Sequence, residues 1–179
     1  MTRYVALLRG INVGTAKQIG MAGLKNLVAG LGYTDVKTHL RSGNVLLTAD
    51  RTSADKLAAQ LTVAIKEQFS MAVSVVVRTR DELAAVVAVN PLGEVAADPS
   101  RSVVAFLSGP PDAAGLAALL AVDVSPEQIV ADGLELYLWC PDGQADGAAT
   151  KELTKAKLKV TVTARNWRTV TKLLELADG

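Results

Sequence analysis

The 179 residues suffice for one large domain or two small ones, and half of them are hydrophobic, which argues against a disordered chain. The 19 basic and 18 acidic side chains nearly cancel, so the surplus of positive charge that a nucleic-acid binder usually carries against phosphates is missing, and only a local basic patch stays open. One cysteine, Cys140, excludes an intrachain disulfide and any multi-cysteine metal site, and no apolar run reaches the roughly 18 residues that cross a bilayer.

Met1-Thr2-Arg3-Tyr4 leads into a short apolar stretch that Arg9 interrupts, unlike a signal peptide, so the expected location is the cytoplasm. Arg3 to Leu8 reads as a first strand, followed by a loop bearing Gly10, Gly14 and Gly20. Met21, Leu24, Leu27, Val28 and Leu31 then recur at helical spacing, and Gly32 sits where a helix end favours a left-handed residue. Asp35 to Leu40 and Val45 to Thr48 read as a hairpin around Ser42-Gly43-Asn44. Ser53 caps a helix running to about Phe69, and Val73 to Arg78 closes a βαββαβ unit of ferredoxin-like order.

Thr79 to Val89 reads as a helix that stops at Asn90-Pro91, and a linker with Gly93 and Pro99 follows to Arg101. The order then repeats. Val103 to Leu107 is a strand, Pro111 to Val122 a helix, Gln128 to Ala131 and Leu134 to Trp139 a hairpin, Ala148 to Leu158 a helix and Val160 to Thr163 a strand. Asn166 to Ala177 forms a last helix with Trp167, Val170, Leu173 and Leu174 at apolar spacing. The predicted class is α+β, with two ferredoxin-like halves and an additional C-terminal helix. Its organisation is an N-terminal half over residues 1–79, a helix and linker over 80–101, and a C-terminal half with the terminal helix over 102–179. Several strands are apolar on both faces, so each open sheet face needs a cover, either the other half or a partner chain; monomer and homodimer both stay open.

Leu7-Leu8-Arg9-Gly10-Ile11-Asn12-Val13-Gly14, with Met21, Leu24, Leu31-Gly32-Tyr33 and Ser42-Gly43-Asn44-Val45, resembles a bacterial family known as domain of unknown function 1697 (DUF1697). Thr163-Ala164-Arg165-Asn166-Trp167 with Thr169-Val170 and Leu173 is similar to that family's C-terminal signature. The resemblance spans nearly the whole chain. It implies a ferredoxin-like architecture and no catalytic residue. Thr15 stands where a second glycine is common, and Gly147-Ala148 where a serine is expected after Cys140-Pro141.

Topology alone predicts a site. In a βαββαβ unit the end of strand one and the turn joining strands two and three share an edge. Arg9, Gly10 and Asn12 should therefore lie beside Arg41, Ser42, Gly43 and Asn44, with Lys17 on the loop to the first helix. Helix N-terminal amides, glycines and arginines suit an anion, a nucleotide or a carboxylate. The competing reading makes Asn12 and Asn44 loop stabilisers and pairs Arg9 with a local carboxylate. Arg165 either lines a cleft or serves the architecture, and Asn166 and Trp167 read as cap and anchor.

The only histidine, His39, should face solvent on an edge strand and lacks partners for a metal site or a nucleophile pair. Cys140 reads as a small buried hydrophobe. An enzyme using Arg9, Asn12, Ser42 and Arg165 is the alternative to a binding protein, although no carboxylate or histidine in a cleft stands out as its acid or base, and no cofactor is indicated. RNA binding ranks last: the aromatic fraction is 4% and only Tyr4 is offered by strands one and three.

Overall fold

A computed structural model describes residues 1–50 and 52–179. The chain is α+β: two four-stranded antiparallel sheets with helices between the strands, each half wound in ferredoxin-like order. It divides into two compact units, Met1–Ala85 with Lys172–Gly179, and Val86–Thr171.

In the first unit the elements are β1 (Thr2–Leu8), α1 (Met21–Gly30), β2 (Thr34–His39), β3 (Asn44–Ala49), α2 (Ala54–Phe69) and β4 (Val75–Thr79). The sheet order is β2-β3-β1-β4, which puts β1 and β3 at the centre and β2 on an edge. Tyr4, Ala6 and Leu8 of β1 join Leu24 and Val28 of α1 and Leu57, Leu61 and Ile65 of α2 in one core. Val5, Leu7, Leu46 and Val76, on the opposite face of the sheet, are buried as well. The helix ends follow local chemistry. The Ser53 hydroxyl accepts the Lys56 amide at 3.2 Å to start α2, Ser70 in the left-handed region ends it, and Gly32 at φ +92° follows the cap of α1.

α3 (Arg80–Val89) leaves β4 directly. Its start is a reciprocal capping box: the Glu82 amide donates to Thr79 Oγ1 and the Thr79 amide to Glu82 Oε2.

The second unit holds β5 (Ser102–Leu107), α4 (Ala113–Leu120), β6 (Gln128–Asp132), β7 (Glu135–Trp139), α5 (Ala148–Lys155) and β8 (Val162–Asn166), with sheet order β6-β7-β5-β8. Val103, Ala105 and Leu107 pack with Leu119, Leu136, Leu138, Cys140 and Leu158. α6 (Trp167–Asp178) leaves β8 as α3 leaves β4. The Thr169 amide donates to Asn166 Oδ1 at 2.8 Å, which makes Asn166 the cap that its residue type predicts.

The C-terminal helix thus has a counterpart in the first half. Arg78 pairs with Val5 on the central strand and Arg165 with Val104, and both arginines are buried. Leu83 and Val86 after the first, and Val170 and Leu173 after the second, are buried at the same offsets.

Several boundaries differ from the sequence reading, and three of the differences have a local cause. α4 begins at Ala113, because Asp112 caps it by accepting the Gly115 amide. α5 stops at Lys155, since Ala156 is extended and the Leu158 carbonyl accepts the Asp112 amide. β8 runs from Val162 to Asn166, later than expected. Its buried positions, Thr163 and Arg165, are polar and lie on the sheet face opposite the core of this half, which masks the strand pattern.

Candidate functional site

The twelve residues between β1 and α1 form a loop whose backbone turns repeatedly through the left-handed region, at Gly10, Asn12, Gly14 and Lys17. Asn12 fixes it. Its Nδ2 donates to the carbonyls of Ile19 (2.9 Å) and Arg41 (2.8 Å), and its Oδ1 accepts the Ile19 amide at 2.8 Å. One side chain therefore ties the loop to itself and to the β2–β3 turn.

The turn is held from the other side too. The Leu8 amide donates to the Gly43 carbonyl at 2.8 Å, and β1 and β3 pair Leu7 with Asn44. Gly43, at φ +88°, leaves no room for a side chain, because a Cβ there would stand 2.7 Å from Ile11 Cδ1 and 2.9 Å from Leu8 Cβ. Asn44 is fully buried and its Nδ2 donates to the His39 carbonyl and to Ser42 Oγ. The β1–α1 loop and the β2–β3 turn thus share one edge of the sheet, and Arg9, Gly10, Asn12, Lys17, Arg41, Ser42, Gly43 and Asn44 are gathered there. Arg165 belongs to β8, in the second unit.

Within the edge the residues divide by task. Asn12 and Asn44 direct their amide donors to backbone carbonyls and a hydroxyl of the edge, in keeping with the loop-stabilising reading. The cations differ. Lys17 Nζ donates to the Ala72 carbonyl at 3.1 Å and Arg41 Nη2 to Gln18 Oε1 at 3.1 Å, so both rest on neutral acceptors. The exposed Arg9 side chain meets no carboxylate, and among the described residues none of the three cations forms an ion pair. From residue 1 to residue 49 the sequence has six cations and one acid, Asp35, whose carbonyl accepts Arg3 Nη1.

The start of α1 adds donors. Its cap position is Gly20, without a side-chain acceptor, and its first turn carries no acid. Among the described residues, each of the other five helices has a side-chain oxygen on its first amides: Ser53, Thr79, Asp112, Glu127 and Asn166.

Sequence reasoning missed Gln18, whose Nε2 donates to the Gly14 carbonyl while its Oε1 holds Arg41. No spacing or motif marks it. It also missed that Val13 and Leu40, both at this edge, are exposed by 71% and 51%. The sequence reading carries the second strand to Leu40, whereas Leu40 leaves β2 at φ +59° to open the turn. His39 is half-buried at the end of β2. Burial, and then the charge of Lys172, hold its imidazole below the usual range, so it is neutral at neutral pH.

The buried Cys140 thiol is pushed up to about 11 by burial first and by Glu127 second, which leaves it protonated and inert as a nucleophile. Arg165 is drawn down to about 10 by burial and stays charged at neutral pH; its Nη1 donates to the Ala164 carbonyl and Thr163 Oγ1. Among the described residues no group of histidine, cysteine or carboxylate side chains could hold a metal ion. No helix among them is long and apolar enough to cross a membrane.

Gly147, where the family resemblance leads one to expect serine, is the cap position of α5. Glu127 caps that helix instead, its oxygens accepting the Ala148 and Ala149 amides at 3.0 and 2.7 Å. A Cβ on residue 147 would stand 2.9 Å from Glu127 Oε2, so glycine and the distant carboxylate go together.

No curated protein matches the sequence. A solved structure described as conserved bacterial protein SP0830 from Streptococcus pneumoniae is similar over 98% of each chain, with a TM-score of 0.81 at 23% identity, and shares the fold. A family model described as protein of unknown function (DUF1697) matches residues 1–137, three quarters of the chain and the whole of the edge just described. The chain belongs to the DUF1697 family.

Proposed function

We propose that the protein binds a small anionic ligand, a nucleotide or an organic carboxylate, at the edge formed by the β1–α1 loop and the β2–β3 turn. One observation carries this reading: Arg9, Lys17 and Arg41 share that edge and no carboxylate stands against any of them among the described residues. A cation resting on neutral carbonyls gains from an anion that offers charge-assisted hydrogen bonds. The uncapped N-terminus of α1 adds amide donors of the same sign.

The second half serves as an internal comparison. Its matching edge has five residues between β5 and α4 where the first half has twelve, and Lys159 there is neutralised by Asp112 at 2.8 Å. Excess positive charge is a feature of the first edge and not of the architecture both halves share.

Titration calorimetry and thermal shift with ATP, inorganic phosphate, citrate and acetate test the reading. At least one should give saturable heat and a higher Tm. Arg9→Ala and Arg41→Ala should each weaken it about tenfold or more, the loss of one charge-assisted bond of roughly 1.5–3 kcal/mol. Silence from every anion, or an unchanged response in both variants, overturns it.

A further inference from the structure

α4 has an outer face unlike that of the other helices. From Ala113 to Val122 the sequence contains no polar side chain, yet only Leu119 in that stretch is fully buried. Leu120 and Val122 are exposed by 44% and 42%, and Ala114 and Ala118 are exposed as well. A helix lying on a sheet needs one apolar stripe and ordinarily turns charged residues outward, as α2 does with Asp55, Lys56, Lys66 and Glu67.

Beside this face lies a groove of about 460 Å³, lined by Ala118, Leu119 and Val122 of the α4 segment and by Ala156 beyond α5. That volume falls within the roughly 300–1,000 Å³ of small-molecule sites. The chain after α5 runs close against the first turn of α4 at one end of these lining residues: a Cβ on Gly115 would be 2.2 Å from the Lys157 carbonyl oxygen.

The charges along the groove determine what fits. Lys155 is paired with Glu152 at 2.7 Å and Lys159 with Asp112 at 2.8 Å. Lys157, exposed and also lining the groove, has no hydrogen-bond or ion-pair partner among the described residues. The balance is one positive charge beside an apolar trough. With the other charges paired, a single positive charge matches a ligand bearing one negative charge better than an acidic peptide or a polyphosphate.

We infer that this groove binds a small amphiphilic monocarboxylate, its apolar chain along α4 and its carboxylate on Lys157. The inference is independent of the cationic edge of the first half. Octanoate and octanol, titrated below their aggregation limits and followed by amide chemical shifts and calorimetry, are the probes.

Octanoate should bind once per chain and more tightly than octanol. Lys157→Ala should weaken octanoate about fivefold, the upper range for an exposed ion pair, and leave octanol unchanged. Ala118→Trp, at an exposed position that leaves the core intact, should abolish both, while Arg9→Ala should alter neither. Absence of octanoate binding to the folded wild type overturns the inference, as does equal loss of both probes in Lys157→Ala. A concentration-dependent dimer in light scattering that Ala118→Trp dissociates would assign the face to a second copy of the chain and overturn it too.

Discussion

Asn12 directs both N–H groups of its amide and one lone pair of its oxygen to the backbone around it, to Ile19 twice and to Arg41 once. A residue so engaged positions the edge and has little left for a ligand. Asn12→Ala should therefore cost stability, about 2–3 kcal/mol for three bonds in a partly buried setting, read as a lower urea midpoint at unchanged slope. The loop from Arg9 to Gly20 would lose its tie to the turn, so anion binding should weaken along with stability, whereas Arg9→Ala should weaken binding alone. Full stability in Asn12→Ala would contradict this division of tasks. The sequence made the asparagines and glycines of the edge legible, because turn chemistry selects those residue types. It could not separate Asn12, a clip, from Arg9, a bare cation, since that depends on partners up to 29 positions away in sequence.

Elements were legible where one face is apolar and the caps are local, as in α2 with Ser53 before it and Leu57, Leu61, Ala64 and Ile65 along it. They were less so where tertiary partners overrule periodicity. β8 carries Thr163 and Arg165 on its buried face, and α5 takes its cap from Glu127, some 20 residues upstream. The α5 cap yields a test with opposite signs. Glu127→Ala should uncap the helix and cost about 1–2 kcal/mol. Gly147→Ser in the wild-type background should also destabilise, since its Cβ crowds Glu127, although φ −62° and ψ 146° suit a serine cap. In the Glu127→Ala background the same serine should restore stability by supplying the missing acceptor. A double-mutant cycle from urea unfolding measures the coupling, and additive effects would show that the two positions do not share the cap.

At the scale of the molecule, two halves built to one plan have diverged in the places where function is proposed. β4 into α3 and β8 into α6 repeat the same buried arginine, cap and apolar pair, whereas the loop before the first helix has twelve residues in one half and five in the other. Local pattern revealed this repetition of order. It does not report which unit the far end of α6 joins, because that depends on contacts with residues nearly a hundred positions earlier, such as Arg80 Nε on Asp178 at 2.6 Å. Residues 172–179 belong to the compact unit that contains Met1–Ala85, and Leu173 among them is buried. A chain ending at Thr171 should thus lose stability in the first unit, by about 2–5 kcal/mol for the buried leucine alone. Both tryptophans, Trp139 and Trp167, lie in the other unit. In the truncated chain the circular-dichroism transition, which reports both units, should begin at lower urea than the tryptophan fluorescence transition. Coincident transitions at the wild-type midpoint would show that the terminal eight residues contribute nothing to the first unit.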